Sequence, residues 1–228
     1  MCYKTFPMGH SFAPRSKEQA TLEMDAKKRE ILEQALKLFM RLGIKSMTMD
    51  EVATQLRISK KTLYEHFTDK NDLVEQAVAM TCDFHRDTIN GICARGLNAI
   101  DENEEITRFI VGQIGHMHPS VQFDLQKYHP KAWEIMEHRE REDIHACVST
   151  NLRKGVAEGL YREDLDVEVI TRLYLARIDS TWDGRVFPPD RFSLPDVLWK
   201  HLEYHIRGIA SPKGVQYLMK KKTNKERK

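Results

Sequence analysis

The chain has 228 residues, 41% of them hydrophobic and 31% charged, and its 36 Lys and Arg against 34 Asp and Glu leave a net charge of +2. That length suits a small module plus a larger domain with its own buried core, and no apolar run is long enough to span a membrane. Four cysteines, Cys2, Cys82, Cys93 and Cys147, lack metal-ligand spacing and read as reduced thiols in a cytoplasmic protein. The alternative for them is a redox pair of Cys82 and Cys93, three helical turns apart on nearly one face.

Residues 1–24 mix Pro7, Gly9, Ser11, Pro14 and Ser16 with scattered charge and no sustained period. They read as a mobile arm without a secretory signal. A minor-groove role for Lys4, Arg15 and Lys17 is the alternative. From Lys27 to Leu42, the residues Ile31, Leu32, Ala35, Leu38, Phe39 and Leu42 recur at helical spacing until Gly43 stops them. Thr48-Met49-Asp50-Glu51 is a capping box, which predicts a helix carrying Met49, Val52, Ala53 and Leu56 inward.

After a turn at Leu56-Arg57-Ile58, Ser59 is the next N-cap. The helix it opens sends Leu63 and Phe67 inward and Lys60, Lys61, Thr62 and Tyr64 outward. Asp69 is a third start signal, opening a helix in which Leu73, Val74, Ala77, Met80, Thr81, Phe84 and Ile92 continue toward Gly96. Between Lys27 and Lys70 ten basic residues face six acidic ones, so this stretch alone carries a larger excess than the whole chain. Local charge of that kind is what phosphate attracts.

Two short helices joined by a tight turn, the second basic and aromatic outward, fit a helix-turn-helix that reads double-stranded DNA. Lys60, Lys61 and Thr62 are placed to approach bases or adjacent phosphates. Tyr64, His66 and Lys70 would hold the backbone, Thr48 and Ser59 cap the two helices, and Thr48 can itself touch phosphate. Lys70 opens a helix, so its amide and its ammonium group can meet one phosphate together.

The stretch from Lys28 to Val78 resembles the DNA-binding domain of the tetracycline-repressor (TetR) family. The residues that carry the resemblance are Ile31, Leu32, Ala35, Leu38, Phe39, Gly43, Thr48, Val52 and Ala53, followed by S-K-K-T-L-Y-E-H-F-T-D-K-N-D-L. One departure is Arg57, where that family often has Gly in the turn; a positive φ there would cost about 1 kcal/mol. The resemblance implies a dimeric regulator on an inverted-repeat operator, a repressor by analogy, released by a small-molecule effector. It also implies a four-helix dimer interface built from the last two long helices.

Further along, Glu105 to Met117 puts Ile106, Phe109, Ile110, Ile114 and Met117 on one face. A short helix with Val121, Leu125 and Tyr128 precedes Pro130. A long one runs from Ala132 to about Glu158 and stops at Gly159. Asp166 to Trp182 and Leu194 to Ile209 are the last strong helices, with a Gly-, Pro- and Asp-rich loop over 183–190 between them. No strand alternation is evident, so the fold reads as all-α: a three-helix head over 25–71, a larger ligand-binding and dimerisation domain over 72–212, and a basic, solvated tail over 213–228.

Met80, Phe84, Phe109, Ile110, Met117, Phe123, Trp133, Met136 and Tyr174 can either surround an apolar effector or fill a core. The expected dimer stripe is Ile170, Tyr174 and Ile178 with Leu198, His201, Leu202, His205 and Ile209, in which the two histidines would make dimerisation pH-sensitive. No metal or cofactor is expected, since His116-Met117-His118 lacks ligand spacing and His201 with His205 supplies only two ligands. Two rivals are a helical enzyme and a DNA-binding protein without an effector. The first has no nucleophile elbow, phosphate loop or H-E-x-x-H, and its Glu134, His138, Glu142 ladder reads as an exposed ion-paired face.

Overall fold

The apolar periods in the sequence become helices, and at Thr48, Ser59, Asp69, Asn98 and Asp166 a side-chain cap sets where the helix begins. The computed structural model describes residues 26–115 and 117–226, with side chains as far as Lys221, and the expected arm over 1–24 lies outside them. Ten helices are present among the described residues. The head holds α1 (Ala26–Leu42), α2 (Met49–Leu56) and α3 (Lys60–His66), and α4 (Lys70–Cys93) leads away from it. Then come α5 (Ala99–Ile114), α6 (Val121–Tyr128), α7 (Pro130–Ala157), α8 (Val167–Thr181), α9 (Leu194–Ile209) and α10 (Pro212–Glu226). The one β pairing among these residues is an isolated antiparallel bridge between Tyr161 and Ala210. No described helix is long and apolar enough to cross a membrane.

Two apolar clusters organise the packing. The first joins Ile31, Leu32, Phe39, Val52, Leu63 and Phe67 of the head to Leu73 and Val74 of α4, and continues into Val121 and Leu125 of α6 and Ala132 of α7. The head therefore shares its core with α6 and the start of α7. The second gathers Ala99 and Ile100 of α5, Val148 and Leu152 of α7, Leu160 and Tyr161, and Leu202, Ile206 and Ile209 of α9. Each fully buried Leu, Ile or Phe contributes about 1.5–3 kcal/mol. At Gly155 a Cβ would overlap the ring of Tyr161, so only glycine lets that ring lie against α7.

Two elements differ from the sequence expectation. Helix α5 starts at Ala99, well before Glu105, because Asn98 caps it by accepting from the N–H groups of Ile100 and Asp101; it also ends at Ile114, short of Met117. The expected solvated tail begins instead with α10. There Ser211 accepts the N–H of Gly214, Tyr217 donates to Asp101 at 2.5 Å, and Lys221 pairs with both Asp101 and Glu104. The tail's charge is partly neutralised by α5.

Candidate nucleic-acid interface

The support helix α2 is fixed at both ends. Thr48 accepts the N–H of Glu51 at 3.2 Å, while the Glu51 carboxylate accepts the Thr48 N–H at 2.6 Å and its hydroxyl at 2.8 Å. These bonds, the backbone one first, hold the Glu51 carboxyl below its ordinary pKa. At the other end Arg57 lies at φ 55, ψ 38, the one non-glycine residue with positive φ among the described residues. The left-handed turn is thus made without glycine. The N–H of Ile58 returns to the Ala53 carbonyl, which aims the chain into α3.

Helix α3 opens where Ser59 accepts the N–H of Thr62 at 3.0 Å, and the two hydroxyls share a hydrogen bond of 2.8 Å. Leu63 and Phe67 are buried, so the helix rests on the head by one narrow face. Lys60, Lys61 and Tyr64 project to solvent, and Thr62 and His66 sit half-buried at the edges. Lys60 reaches back to Asp50 at 2.5 Å and Lys61 lies 4.0 Å from Glu65. Both pairs are exposed, contribute at most about 1 kcal/mol, and can be exchanged for phosphate.

Asp69 caps α4 by accepting the N–H of Asp72 at 2.9 Å, and Asp72 in turn accepts from Thr68. Lys70, the first residue of α4, is half-buried with its ammonium 3.4 Å from the Lys45 carbonyl. Burial lowers its pKa, while the nearby carboxylates of Asp124 and Glu51 pull the other way. The start of α2 thus neighbours both the start of α3, through Asp50 and Lys60, and the start of α4, through Glu51 and Lys70. All eight residues named from the sequence lie on α3 or at the first turns of α2, α3 and α4.

The sequence did not single out Asp124. It is buried, on α6, and its Oδ2 accepts from the backbone of Ile44 at 3.0 Å and Lys45 at 2.9 Å and from the Ser120 hydroxyl at 3.0 Å. Beside it the His118 N–H donates to the Met40 carbonyl, and a Cβ at Gly43 would collide with Ser120. His129 at the start of α7 shares a 2.7 Å hydrogen bond with Asn71 of α4. A signal was present: Asp124 interrupts the apolar stripe of Val121, Leu125 and Tyr128, and an acid there needs buried donors.

The expected pocket residues fall in separate places. Met80, Met117, Trp133 and Met136 pack against the first cluster and Tyr174 against the second. Phe84 is a correction, being 53% exposed, although its ring meets Phe109 edge-on at 6.0 Å; Ile110 is half-buried nearby in sequence on α5. Phe123 is another: it is 53% exposed, because Val121, Asp124 and Leu125 take the inward face of α6, and its ring stands against Tyr128 and Lys127 at the surface. Between the clusters Glu140 has its carboxyl raised to about 7 by burial and then by Asp143.

The expected dimer stripe also needs correction. Leu198, Leu202, His205 and Ile209 are buried within the protomer, Ile170 packs against the second cluster, and Ile178 and His201 are half-buried. Tyr174 sets its ring edge against His201 at 4.7 Å and His205 at 4.8 Å. Burial, with the Arg177 charge second, lowers His201 to about 4 and His205 to about 3. Lowered this far by burial, the pair does not support the expected pH-sensitive dimerisation. What α8 and α9 expose instead is Val169 (50%), Leu173 (53%) and Tyr204 (68%), with Arg177 over the Tyr204 ring.

His138 and Glu142 are 3.5 Å apart on an exposed face, as the ladder reading requires. Among the described residues no group of three or more His, Cys, Asp or Glu could hold a metal ion. The Cys82–Cys93 pairing is not formed: Cys82 is buried, and Cys82, Cys93 and Cys147 are all free thiols.

Residues 31–77 match the family model described as bacterial regulatory proteins, tetR family. The HTH-type transcriptional repressor KstR2 of Mycolicibacterium smegmatis is 27% identical over 203 residues, covering 81% of this chain and 91% of that protein. The HTH-type regulator YvaF of Bacillus subtilis is 23% identical over 187 residues, covering 80% and 95%. A transcriptional regulator from Cytophaga hutchinsonii has the same fold, with a TM-score of 0.64 at 18% identity over 82% of this chain and all of that one.

Proposed function

Since the chain belongs to the tetR family of bacterial regulatory proteins and is a sequence-specific DNA-binding regulator, we propose that it acts in the cytoplasm as a dimeric repressor, released from an inverted-repeat operator by a small-molecule effector. The observation that carries the reading is α3, held to the head by Leu63 and Phe67 while Lys60, Lys61 and Tyr64 face outward from its first turns. Lys60, Lys61 and Thr62 approach base edges or flanking phosphates. Tyr64, His66 and Lys70 hold the backbone, and Thr48 and Ser59 set the helices that present them.

Two heads on a twofold axis read two half-sites, which requires a symmetric contact between protomers. The exposed face of α8 and α9, with Val169, Leu173 and Tyr204, supports that role. The effector would lie between the two apolar clusters, where Phe109, Ile110, Met136, Glu140 and Tyr174 are half-buried. From there it reaches the head by two routes: α4, whose first turn stands beside α2, and α6, whose Asp124 holds the loop after α1. An effector that binds one head spacing more tightly shifts the population toward it.

The test is selection of bound fragments from the source genome by the purified full-length protein, with footprinting of the best site. A protected inverted repeat is the expected result. No enrichment at moderate salt would overturn the reading.

A further inference from the structure

The end of α6 carries two aromatic rings at the surface, and two lysines lie over them. Tyr128, the last residue of α6, is half-buried, and the exposed Phe123 stands edge-on to it at 6.3 Å. Lys45, in the loop after α1, places its ammonium 4.9 Å from the Tyr128 ring centre. Lys127 places its own 5.6 Å from the same centre and 5.2 Å from that of Phe123. One ring thus gathers two cations from distant parts of the chain. Both lysines are exposed, and unlike Lys60 and Lys61 of α3, which pair with Asp50 and Glu65, neither has a carboxylate partner among the described residues.

This strip adjoins the start of α4. The Lys45 carbonyl takes the Lys70 ammonium at 3.4 Å, and His129, which follows Tyr128, shares its 2.7 Å hydrogen bond with Asn71, which follows Lys70. Thr48, the cap of α2, is three residues beyond Lys45. The acids that act on Lys45 and Lys70 are committed to other donors: Asp124 accepts the N–H groups of Ile44 and Lys45, and Glu51 accepts the N–H and hydroxyl of Thr48. What faces outward is uncompensated positive charge.

We infer that Lys45 and Lys127, gathered on the ring of Tyr128, bind phosphates of the operator duplex next to the one assigned to Lys70, so that DNA contact extends from the head onto the larger domain. The inference rests on the DNA-binding reading above and adds a surface to it. Two like charges held at one ring repel each other, and an anion beside them removes that cost. The anion already called for at Lys70 is a backbone phosphate, and a duplex repeats that group along its length. By this placement α6 has two tasks. Its Asp124 braces the loop after α1 from inside, and its last turn meets DNA from outside.

The experiment measures affinity of the full-length protein for the selected operator duplex over a series of salt concentrations. It compares the wild type, Lys45→Gln with Lys127→Gln, and a charge-matched control, Arg153→Gln with Arg191→Gln, whose two arginines are exposed on α7 and in the loop before α9. The lysine variant should show a slope of log affinity against log salt shallower by about two, and the control the wild-type slope. The loss should be equal on operator and on unrelated DNA of the same length, because phosphate contacts carry no sequence. Ethylation of single phosphates should interfere with wild-type binding at positions where it no longer affects the lysine variant. Operator binding by the wild type with an unchanged slope or ethylation pattern in the lysine variant, or with an equal change in the control, would overturn this inference and leave the DNA-binding reading standing. No operator binding by the wild type would overturn that reading, and this inference with it.

Discussion

Asp124 and Ile44 are joined by a buried hydrogen bond of 3.0 Å, in which the carboxylate of α6 accepts the backbone N–H of the loop after α1; the same oxygen takes the N–H of Lys45. Through this contact a short helix of the larger domain completes the capping of the head. Asp124→Ala leaves those two donors without an acceptor, and the expected loss of stability is about 3 kcal/mol. Asp124→Asn, which keeps one acceptor oxygen, loses less. Urea unfolding of the two variants checks this, and a loss under about 1 kcal/mol for the alanine variant would mean that water replaces the carboxylate.

Arg57 carries strain that the turn does not require of its sequence. At φ 55 an L side chain costs about 1–2 kcal/mol, while glycine costs about 0.5–1 kcal/mol in chain entropy. Arg57→Gly therefore stabilises the protein by about 0.5–1 kcal/mol, read as a rise in the urea midpoint. A fall would show that the Arg57 side chain makes contacts that outweigh its backbone.

His205 links stability to pH. Its folded-state pKa of about 3 lies below the unfolded value, so the unfolded chain binds the extra proton; this contribution is full above about pH 6.5 and is lost as pH falls toward 3. Between pH 7 and 5 the loss is about 2 kcal/mol for one such histidine. His205→Gln should lose about that much of the pH dependence when both proteins are unfolded at equal concentration. Dimer dissociation itself should show no step from these histidines between pH 5.5 and 8.

Glu140 runs the other way. Its carboxyl is raised to about 7, so the folded state favours the protonated form and stability falls as pH climbs from the unfolded carboxyl range through 7. Glu140→Gln should stabilise the protein at pH 8 and change it little at pH 5. Equal effects at both pH values would mean that the side chain titrates normally.

Lys70 and Tyr64 are expected to act on phosphate. Lys70→Ala and Tyr64→Phe should weaken binding on all sequences alike, and the Lys70 change should reduce the salt slope by about one. A wild-type slope in Lys70→Ala would assign its half-buried ammonium to the Lys45 carbonyl alone.

The head was legible because its signals are local. Thr48, Ser59 and Asp69 each cap the helix that follows through their own side chains, and such bonds span three residues. Where the reading failed, the deciding contact was remote or the composition misled. Ser211 before Pro212 is itself a start signal, but the lysines that follow suggested solvent; the acidic partners of Lys221, Asp101 and Glu104, lie far back in the chain. The stripe of Leu198, Leu202 and Ile209 was rightly apolar, yet periodicity does not distinguish a protomer's own core from a partner's surface. Asp124 broke the apolar stripe of its own helix, but its partners, the backbone of Ile44 and Lys45, lie far back in the chain.

The central claim is that the exposed lysines of α3 read sequence. The most direct measurement is the ratio of affinity for the selected site to affinity for unrelated DNA at one fixed salt concentration, in the wild type and in Lys60→Ala with Lys61→Ala. A fall in that ratio of roughly tenfold or more, beyond the shared loss on both DNAs, is the predicted result. An unchanged ratio, with both affinities reduced alike, would contradict it and leave α3 as a phosphate contact only.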